Sequence, residues 1–302
     1  MPLKSWWKFL YLGVVWGATF LWLKIALAEL GPLTLNAVRL TIASIGLFVV
    51  ARLTHSTWPG RKFLPAMAFL GIFNIALPFA LITWSELYIT TGLASILNST
   101  VPLFTILLAV FFIPDDRFTP ARGAGLALGF GGVVLLVMDK VSNGFGAVEW
   151  GAGVMLLASF SYAIAAIFAR RKMPEVSPAM IAFGQSIFAN LALWPLALIF
   201  ESPIQLPRLP LTWLALVWLG IAATGVGTAL YYFLLREVGP TRTTLATYVF
   251  PLVGVLLGWI FLSEQPDWRL AVGGLLVISG VALVNARMTK PKQTVPEMDH
   301  PA

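Results

Sequence analysis

Residues 246–284 read ATYVFPLVGVLLGWIFLSEQPDWRLAVGGLLVISGVALV, two apolar runs joined by a short polar connector. An α-helix rises about 1.5 Å per residue, so roughly 20 apolar residues cross the ~30 Å hydrocarbon core of a bilayer. Runs as continuous as these exclude a β-barrel, in whose strands apolar and polar residues alternate. The stretch therefore predicts two transmembrane helices.

The rest of the chain has the same character. Of its 302 residues, 59% are hydrophobic and only 11% are charged, and the mean hydropathy is +0.86. Because a soluble domain carries about a quarter charged residues, the composition excludes one. We predict an all-α membrane protein whose ten transmembrane helices cover residues 5–28, 33–52, 63–85, 91–113, 120–138, 149–169, 178–200, 211–234, 241–262 and 267–286.

The basic residues indicate the orientation. Fifteen Lys and Arg residues lie at the two termini and in the connectors on their side of the membrane, whereas the opposite connectors hold Lys140, Arg208 and Arg269. By the positive-inside rule both termini are cytoplasmic, and the net charge of +7 reflects topology rather than nucleic-acid binding. We expect a multi-pass protein of the bacterial inner membrane, with a first helix that is retained and not cleaved as a signal peptide.

The sequence resembles itself after a shift of 149 residues. The aligned pairs are FLGIFNIAL at 69–77 with WLGIAATGV at 218–226, Pro102 with Pro251, and Asp115 with Glu264. This predicts two five-helix repeats, residues 1–142 and 147–290, followed by a cytoplasmic tail at 291–302. Because five is odd, the second repeat is inverted, and inverted repeats are typical of carriers that alternate access around a site near the bilayer midplane.

Polar and aromatic side chains near the expected midplane are candidates for binding a solute. Singly, each of them also fits a hydrogen bond between helices, which contributes about 0.6 kcal/mol. The candidates are Trp16, Arg39, Asn74, Thr83, Asn98, Ser99, Ser159, Tyr162, Gln185, Tyr231 and Tyr248. Prolines within helices remove a hydrogen bond and produce either a hinge or a fixed kink. The candidate hinges are Pro78, Pro102 and Pro251.

Two basic residues, Lys24 and Arg39, lie inside predicted helices. Their long side chains either reach the headgroups at the membrane surface or face an internal cavity and bind an anionic group such as a carboxylate. Arg39 lies deeper and is the stronger candidate for the cavity. After a shift of 146 residues it aligns with Gln185, so the two half-sites differ in charge.

Several kinds of chemistry lack the residues they need. The chain has no cysteine, both histidines lie in polar segments, and all thirteen acidic residues lie at or outside the predicted helix ends. Motifs for nucleotide binding, zinc hydrolysis or serine hydrolysis are missing from the sequence. We expect no cofactor and no metal, a protein that is not an enzyme, and facilitated rather than tightly proton-driven transport.

Four stretches of the sequence resemble the EamA-type branch of the drug/metabolite transporter superfamily. They are WGATFLWLKIAL at 16–27, NAVRL at 36–40, and residues 99–136 and 246–284, in which a helical proline, an acidic residue and spaced glycines recur. The resemblance covers about residues 5–288. It implies ten helices around a central cavity. Within the family the chain looks most like bacterial exporters of the YddG type, which implies export of aromatic and other neutral amino acids.

These observations predict an exporter of amino acids that works by alternating access. One alternative is a carrier of another small metabolite or an anion such as a nucleotide sugar. A membrane enzyme that acts on lipid-linked substrates is a further alternative. The expected partners are a small-molecule substrate and the lipid bilayer, without nucleic acid. The sequence leaves the substrate range, the coupling ion and the oligomeric state open, and a monomer is compatible with it.

Overall fold

The computed structural model describes residues 3–113, 118–141, 146–173, 176–238 and 245–285, and every regular element within them is helical. The helices group into ten spans, numbered in chain order. The spans are Leu3–Ala26, Pro32–Leu53, Arg61–Ser85, Thr91–Phe112, Pro120–Val141, Ala147–Lys172, Pro178–Phe200, 210–238, 245–262 and Trp268–Asn285.

The helical membrane fold predicted from the sequence is confirmed. Among the described residues, nine helices are long and apolar enough to cross a membrane, and Ala246–Leu262 is a shorter apolar helix. Three features of the sequence analysis lie outside the described residues: the predicted start of the ninth helix at 241, the acidic residue Asp115 and the tail at 291–302. The inverted relation of the two repeats stays a prediction.

The bundle has two ends that differ in structure. We call the end where span 1 begins and span 10 ends the terminal end. The distal end is the opposite one and carries the turns at 27–31, 86–90, 201–209 and 263–267. Fully buried apolar side chains in the half of the bundle towards the distal end include Leu23, Leu35, Leu97, Met155 and Leu216.

Spans 3 and 8 each contain a π-helical segment, Gly71–Ala76 and Trp218–Val226. These segments lie within the two stretches that the shift of 149 residues aligns. A π turn shifts the main-chain hydrogen bonds by one residue, so some of its carbonyl groups accept from groups outside the helix. Such turns are frequent at functional sites. In both segments a side chain from another span uses such a carbonyl: Ser161 Oγ donates to Phe73 O at 2.7 Å, and Trp16 Nε1 donates to Ala223 O at 2.8 Å.

Span 4 is not the continuous helix that the sequence predicted over 91–113. It consists of Thr91–Asn98 and Val101–Phe112, separated at Ser99 and Thr100. The reason is Pro102, which cannot donate to the preceding turn and therefore occupies the first turn of a new helix. The other two candidate hinge prolines also lie in a first turn, Pro78 after a π segment and Pro251 after a 3-10 turn.

Spans 5 and 10 approach each other closely through glycines. A Cβ atom at Gly280 would lie 2.5 Å from Gly129 N and 2.6 Å from Gly125 O. Glycine is therefore required at this crossing. The approach agrees with the small-residue patterns that mediate helix packing in membranes.

Candidate functional site

A cavity of about 520 Å³ runs from the middle of the bundle to the terminal end. Its wall at that end includes Ile113, Arg170 and Asn285, which lie at the terminal ends of spans 4, 6 and 10. None of the described residues in the distal turns lines it. The structure is thus open towards the terminal end and closed towards the distal end.

Most of the predicted binding residues lie together in the wall of this cavity. Those that line it are Trp16, Arg39, Asn74, Asn98, Tyr162, Gln185 and Tyr231, together with the candidate hinge Pro102. They come from spans 1, 2, 3, 4, 6, 7 and 8. The structure places Thr83, Ser99, Ser159, Tyr248, Pro78 and Pro251 outside the wall.

The four predicted binding residues outside the wall make hydrogen bonds within and between helices. Thr83 Oγ1 donates to Phe79 O at 2.8 Å, and Ser99 Oγ donates to Ser95 O at 2.9 Å. The hydroxyl of Ser159 donates to Leu97 O at 3.3 Å, and Tyr248 OH accepts from Asn285 Nδ2 at 3.0 Å. These contacts match the alternative that the sequence left open, in which such groups join helices.

Arg39 faces the cavity and not the membrane surface. Its side chain is 6% exposed, its Nε donates to Thr224 Oγ1 at 3.0 Å, and its guanidinium carbon lies 4.1 Å from the centre of the Phe79 ring. The cation–π contact holds the guanidinium in place. None of the described residues that line the cavity is acidic. The other N–H groups of Arg39 are therefore donors suited to an anionic group of a solute.

Aromatic side chains form one side of the cavity. The Trp16 ring lies 5.6 Å from the Tyr231 ring and 5.9 Å from the Phe250 ring, measured between centroids. Its Nε1 donates to the carbonyl of Ala223 in the π segment of span 8. Trp16 therefore connects spans 1, 8 and 9 and presents an apolar surface to the cavity.

Two asparagines in the wall differ in their hydrogen bonding. Asn74 Nδ2 donates to Gln185 Oε1 at 2.9 Å, which joins spans 3 and 7. The Oδ1 atom of Asn98 is buried and has no hydrogen-bond partner in the described part of the chain. Asn98 is the last helical residue before the break in span 4. This amide oxygen would become an acceptor for a solute if the Asn98 side chain rotated towards the cavity.

The wall also contains residues that the sequence analysis did not choose. Thr224 lies in the π segment of span 8 and aligns with the apolar Ile75 of the first repeat. The signal that the sequence offered was therefore a polar residue present in one repeat and not in the other. Phe79 and Phe250 are aromatic residues in apolar helices, where nothing in the sequence distinguishes a cavity wall from a lipid contact. Within the described residues, no three side chains that bind metals come together.

Three carboxylates at the distal end accept hydrogen bonds from the N-termini of other spans. Glu201 accepts from Leu33 N at 2.8 Å and Thr34 N at 2.7 Å, at the start of span 2. Glu264 accepts from Thr91 N at 2.8 Å and Gly92 N at 3.2 Å, at the start of span 4. Both satisfy main-chain donors that a helix N-terminus leaves unpaired.

Glu29 makes the third contact of this kind. It accepts from Thr212 Oγ1 at 2.5 Å, Leu209 N at 3.0 Å and Arg208 N at 3.1 Å, at the start of span 8. The hydrogen bond from Thr212, and then those from the main chain, hold the pKa of Glu29 below its usual value. The contact therefore strengthens as the carboxyl ionises.

Lys24 also belongs to the distal end. Its ammonium donates to the main-chain carbonyls of Glu86 and Ile89, the latter at 2.8 Å. A cation at the C-terminal end of a helix satisfies carbonyl groups that have no partner in the helix. Lys24 is not among the residues that line the cavity. Of the two basic residues inside the predicted helices, only Arg39 contributes to the wall.

A helical bundle that crosses the membrane many times, closed at one end and open to a central cavity at the other, is typical of transporters. The chain belongs to the EamA-like transporter family, whose model matches residues 4–138 and again residues 149–286. The family and the relatives below are transporters and not enzymes, which confirms that expectation and removes the lipid-linked-substrate enzyme.

The chain is similar to several curated transporters over nearly its whole length. The inner membrane transporter YedA of Escherichia coli strain K12 is 28% identical, with 90% of this chain and 87% of YedA covered. The probable terminal-alkyne amino-acid exporter of Streptantibioticus cattleyicolor is 27% identical, with 94% of both chains covered. A transporter of Archaeoglobus fulgidus is 25% identical over 93% of this chain and 99% of its own length.

The fold is also similar to a solved crystal structure. The TM-score is 0.68 at 18% sequence identity, and the similarity covers 96% of this chain and all of the other. At this identity the comparison shows the fold alone.

Proposed function

We propose that this transporter exports amino acids, aromatic and other neutral ones, across the bacterial inner membrane by alternating access. The proposed moving units are the two five-helix repeats, residues 1–142 and 147–290, related by inversion. Two observations support the repeat: the family model matches the chain twice, and each half carries a π segment at an aligned position.

The observation that carries the proposal is the buried guanidinium of Arg39 in a cavity whose described lining contains no acidic residue. An amino acid always brings a carboxylate. A partly desolvated hydrogen bond between a guanidinium and a carboxylate contributes roughly 1 to 3 kcal/mol. This contribution is large enough to select a solute with a carboxylate and small enough to allow the solute to be released.

The remaining groups of an amino acid also find suitable surfaces. The ring faces of Trp16 and Tyr231 attract a cation, and the amide of Asn98 would accept from the ammonium group if its side chain rotated towards the cavity. The same rings and Phe250 provide an apolar surface for an aromatic side chain. Binding of the ammonium group by a wall without a carboxylate is weak, which suits a carrier that must release its solute.

The proposed orientation is compatible with export. If both termini are cytoplasmic, as the basic residues predict, the open terminal end of the cavity faces the cytoplasm. The structure then represents the state that loads solute inside the cell. The similarity to an amino-acid exporter supports this direction, and the likeness to the YddG type is part of the same proposal.

An anion carrier is the second candidate, because two observations favour it. Arg39 and Arg170 both line the cavity, and the described part of the wall has no acidic side chain to balance them. A solute with a net negative charge, such as a nucleotide sugar, would experience an attractive potential.

Counterflow with purified protein in protein-only liposomes tests the two candidates. The liposomes are loaded with one unlabelled solute and receive the same solute in labelled form outside. We expect aromatic and other neutral amino acids to drive counterflow, and aromatic acids that lack the amino group to compete weakly. Counterflow driven by nucleotide sugars or deaminated acids, but not by amino acids, would replace the first candidate with the second.

A further inference from the structure

The carboxyl group of Glu86 is buried at the distal end without a hydrogen-bond partner. The residue directly follows span 3, is 0% exposed, and neither carboxylate oxygen has a partner among the described residues. The ammonium of Lys24 donates to main-chain carbonyls and not to this carboxylate. An ionised carboxylate is strongly disfavoured in such a place, so the group takes up a proton instead.

The turn that carries Glu86 is covered by elements from elsewhere in the chain. A Cβ atom at Gly151 of span 6 would lie 2.8 Å from Tyr88 Cβ, so span 6 packs directly on this turn. Among the described residues, the charged groups that face Glu86 are Lys24 of span 1 and Glu264 after span 9. Glu149 of span 6 accepts a hydrogen bond from Gly146 N at 2.9 Å, at the start of its own helix. Separation of these elements would bring water to Glu86.

Burial is the main effect on the ionisation of this group. It raises the pKa of the Glu86 carboxyl well above its usual range, Lys24 opposes the rise, and Glu264 adds to it. The carboxyl is therefore neutral while the distal end stays closed. Exposure to water removes the main cause of the shift.

We propose that the Glu86 carboxyl group is a proton-binding site, which holds a proton while the distal end is closed and releases it when that end opens. On opening, the O–H bond breaks, the proton passes to water on the distal side, and the carboxylate is left beside the ammonium of Lys24. On closing, a proton returns from the same side. The site therefore controls the conformational equilibrium without carrying protons across the bilayer. It rests on the alternating access proposed above, whatever the solute.

The sign of the pH dependence follows from these two states. The closed state binds the proton more tightly than the open state, so opening releases a proton and becomes easier as pH rises. For one proton the open population increases by at most about tenfold per pH unit. The open population depends on pH only above the ordinary pKa of glutamate, 4.5, because below that pH Glu86 is protonated in both states.

Single cysteines measure this opening directly, because the chain contains no cysteine. Leu30→Cys places a smaller side chain in a distal turn where Leu30 is 5% exposed. Ala166→Cys is the matched control, because Ala166 lines the open cavity and is exposed. The measured quantity is the labelling rate with a soluble maleimide, divided at each pH by the rate for the unfolded protein to correct for thiol ionisation.

We expect the corrected rate at Leu30→Cys to rise by about three- to tenfold per pH unit above pH 5, and the rate at Ala166→Cys to stay high. With Glu86→Gln, which mimics the protonated acid, labelling at Leu30→Cys should be slow at every pH. Glu86→Asp should restore the dependence, and Glu149→Gln should leave it intact.

Two results would overturn the proposal. If the pH dependence survives in Glu86→Gln, or is missing from the parent Leu30→Cys protein while labelling still occurs, the proton site is elsewhere or does not exist. If Leu30→Cys is never labelled, even with solute present, then alternating access fails and this proposal fails with it. Labelling at Ala166→Cys shows in each case that the reagent reaches the open cavity.

Discussion

The two ends of the bundle are held together by different kinds of contact. At the distal end, three carboxylates bond to the N-termini of other spans, and the bonded residues are 167 to 183 positions apart in the sequence. At the terminal end, spans 1 and 8 share the ion pair between Lys8 and Glu237, whose side chains are 21% and 32% exposed. Spans 9 and 10 share the hydrogen bond between Tyr248 and Asn285.

Among the described residues, this difference agrees with a cavity that is open at the terminal end. A charged acceptor at a helix N-terminus combines hydrogen bonds with the favourable end of the helix dipole. A partly exposed ion pair contributes much less, because water screens it. The contacts present in this state therefore favour a closed distal end, and alternating access requires that the distal contacts break.

The largest expected effect is the loss of a distal contact. Glu201→Ala removes the acceptor of two main-chain hydrogen bonds at the start of span 2. At about 1.5 kcal/mol for each bond to a charged group, the closed distal end loses about 3 kcal/mol, which is on the order of a hundredfold in population. We expect labelling at Leu30→Cys to accelerate accordingly.

Glu149→Ala provides the control for this measurement. Glu149 is a buried distal carboxylate that bonds to the start of its own span, so its loss should not open the bundle. If labelling at Leu30→Cys accelerates equally in Glu201→Ala and Glu149→Ala, general destabilisation of the distal end explains the effect, and not the loss of the contact between spans.

The second effect concerns the cavity between the two ends. Arg39→Gln keeps a polar side chain but removes the charge that faces the solute, so we expect the apparent affinity for amino acids to fall by about 1 to 3 kcal/mol. Counterflow, normalised to folded protein, measures it. Arg39→Lys should retain part of the affinity, because the charge stays while the geometry of the guanidinium is lost. Unchanged affinity in Arg39→Gln would remove Arg39 from the site.

The sequence predicted the helices, and seven of its eleven candidate binding residues line the cavity, but it did not predict the distal contacts. Helix positions follow from apolar length, which is a local property. The break in span 4 also has a local cause, the missing donor of Pro102, although the sequence analysis predicted a continuous helix there. The contact between Glu201 and span 2 joins residues that are far apart in the chain, and no local pattern contains it. Glu86 lies at a helix end, where the sequence alone indicates exposure, and it is buried because other elements, span 6 among them, cover its turn.

The third effect separates two aromatic residues that the sequence treated alike. Trp16 lines the cavity and contacts Tyr231, whereas Tyr248 lies outside the wall and accepts a hydrogen bond from Asn285 at the terminal end. We expect Trp16→Ala to weaken solute binding by about 1 kcal/mol, the contribution of an aromatic pair, and Tyr248→Ala to change it less. Titration of counterflow against solute concentration compares them. A larger effect of Tyr248→Ala would place the solute nearer the terminal end.

The smallest effect is expected at the ion pair of the terminal end. Lys8→Ala removes one partner of a contact that water reaches on both sides, and such pairs contribute about 0.2 to 1 kcal/mol. The labelling rates at Leu30→Cys and Ala166→Cys should therefore change by less than about fivefold. High salt should reduce even this difference, because it screens exposed charges, whereas the effect of Glu201→Ala should persist in salt because main-chain groups at a helix end are involved. If Lys8→Ala shifts the equilibrium as strongly as Glu201→Ala, the two ends are held with equal strength. The open terminal end must then be explained by the cavity itself and not by the contacts that close the bundle.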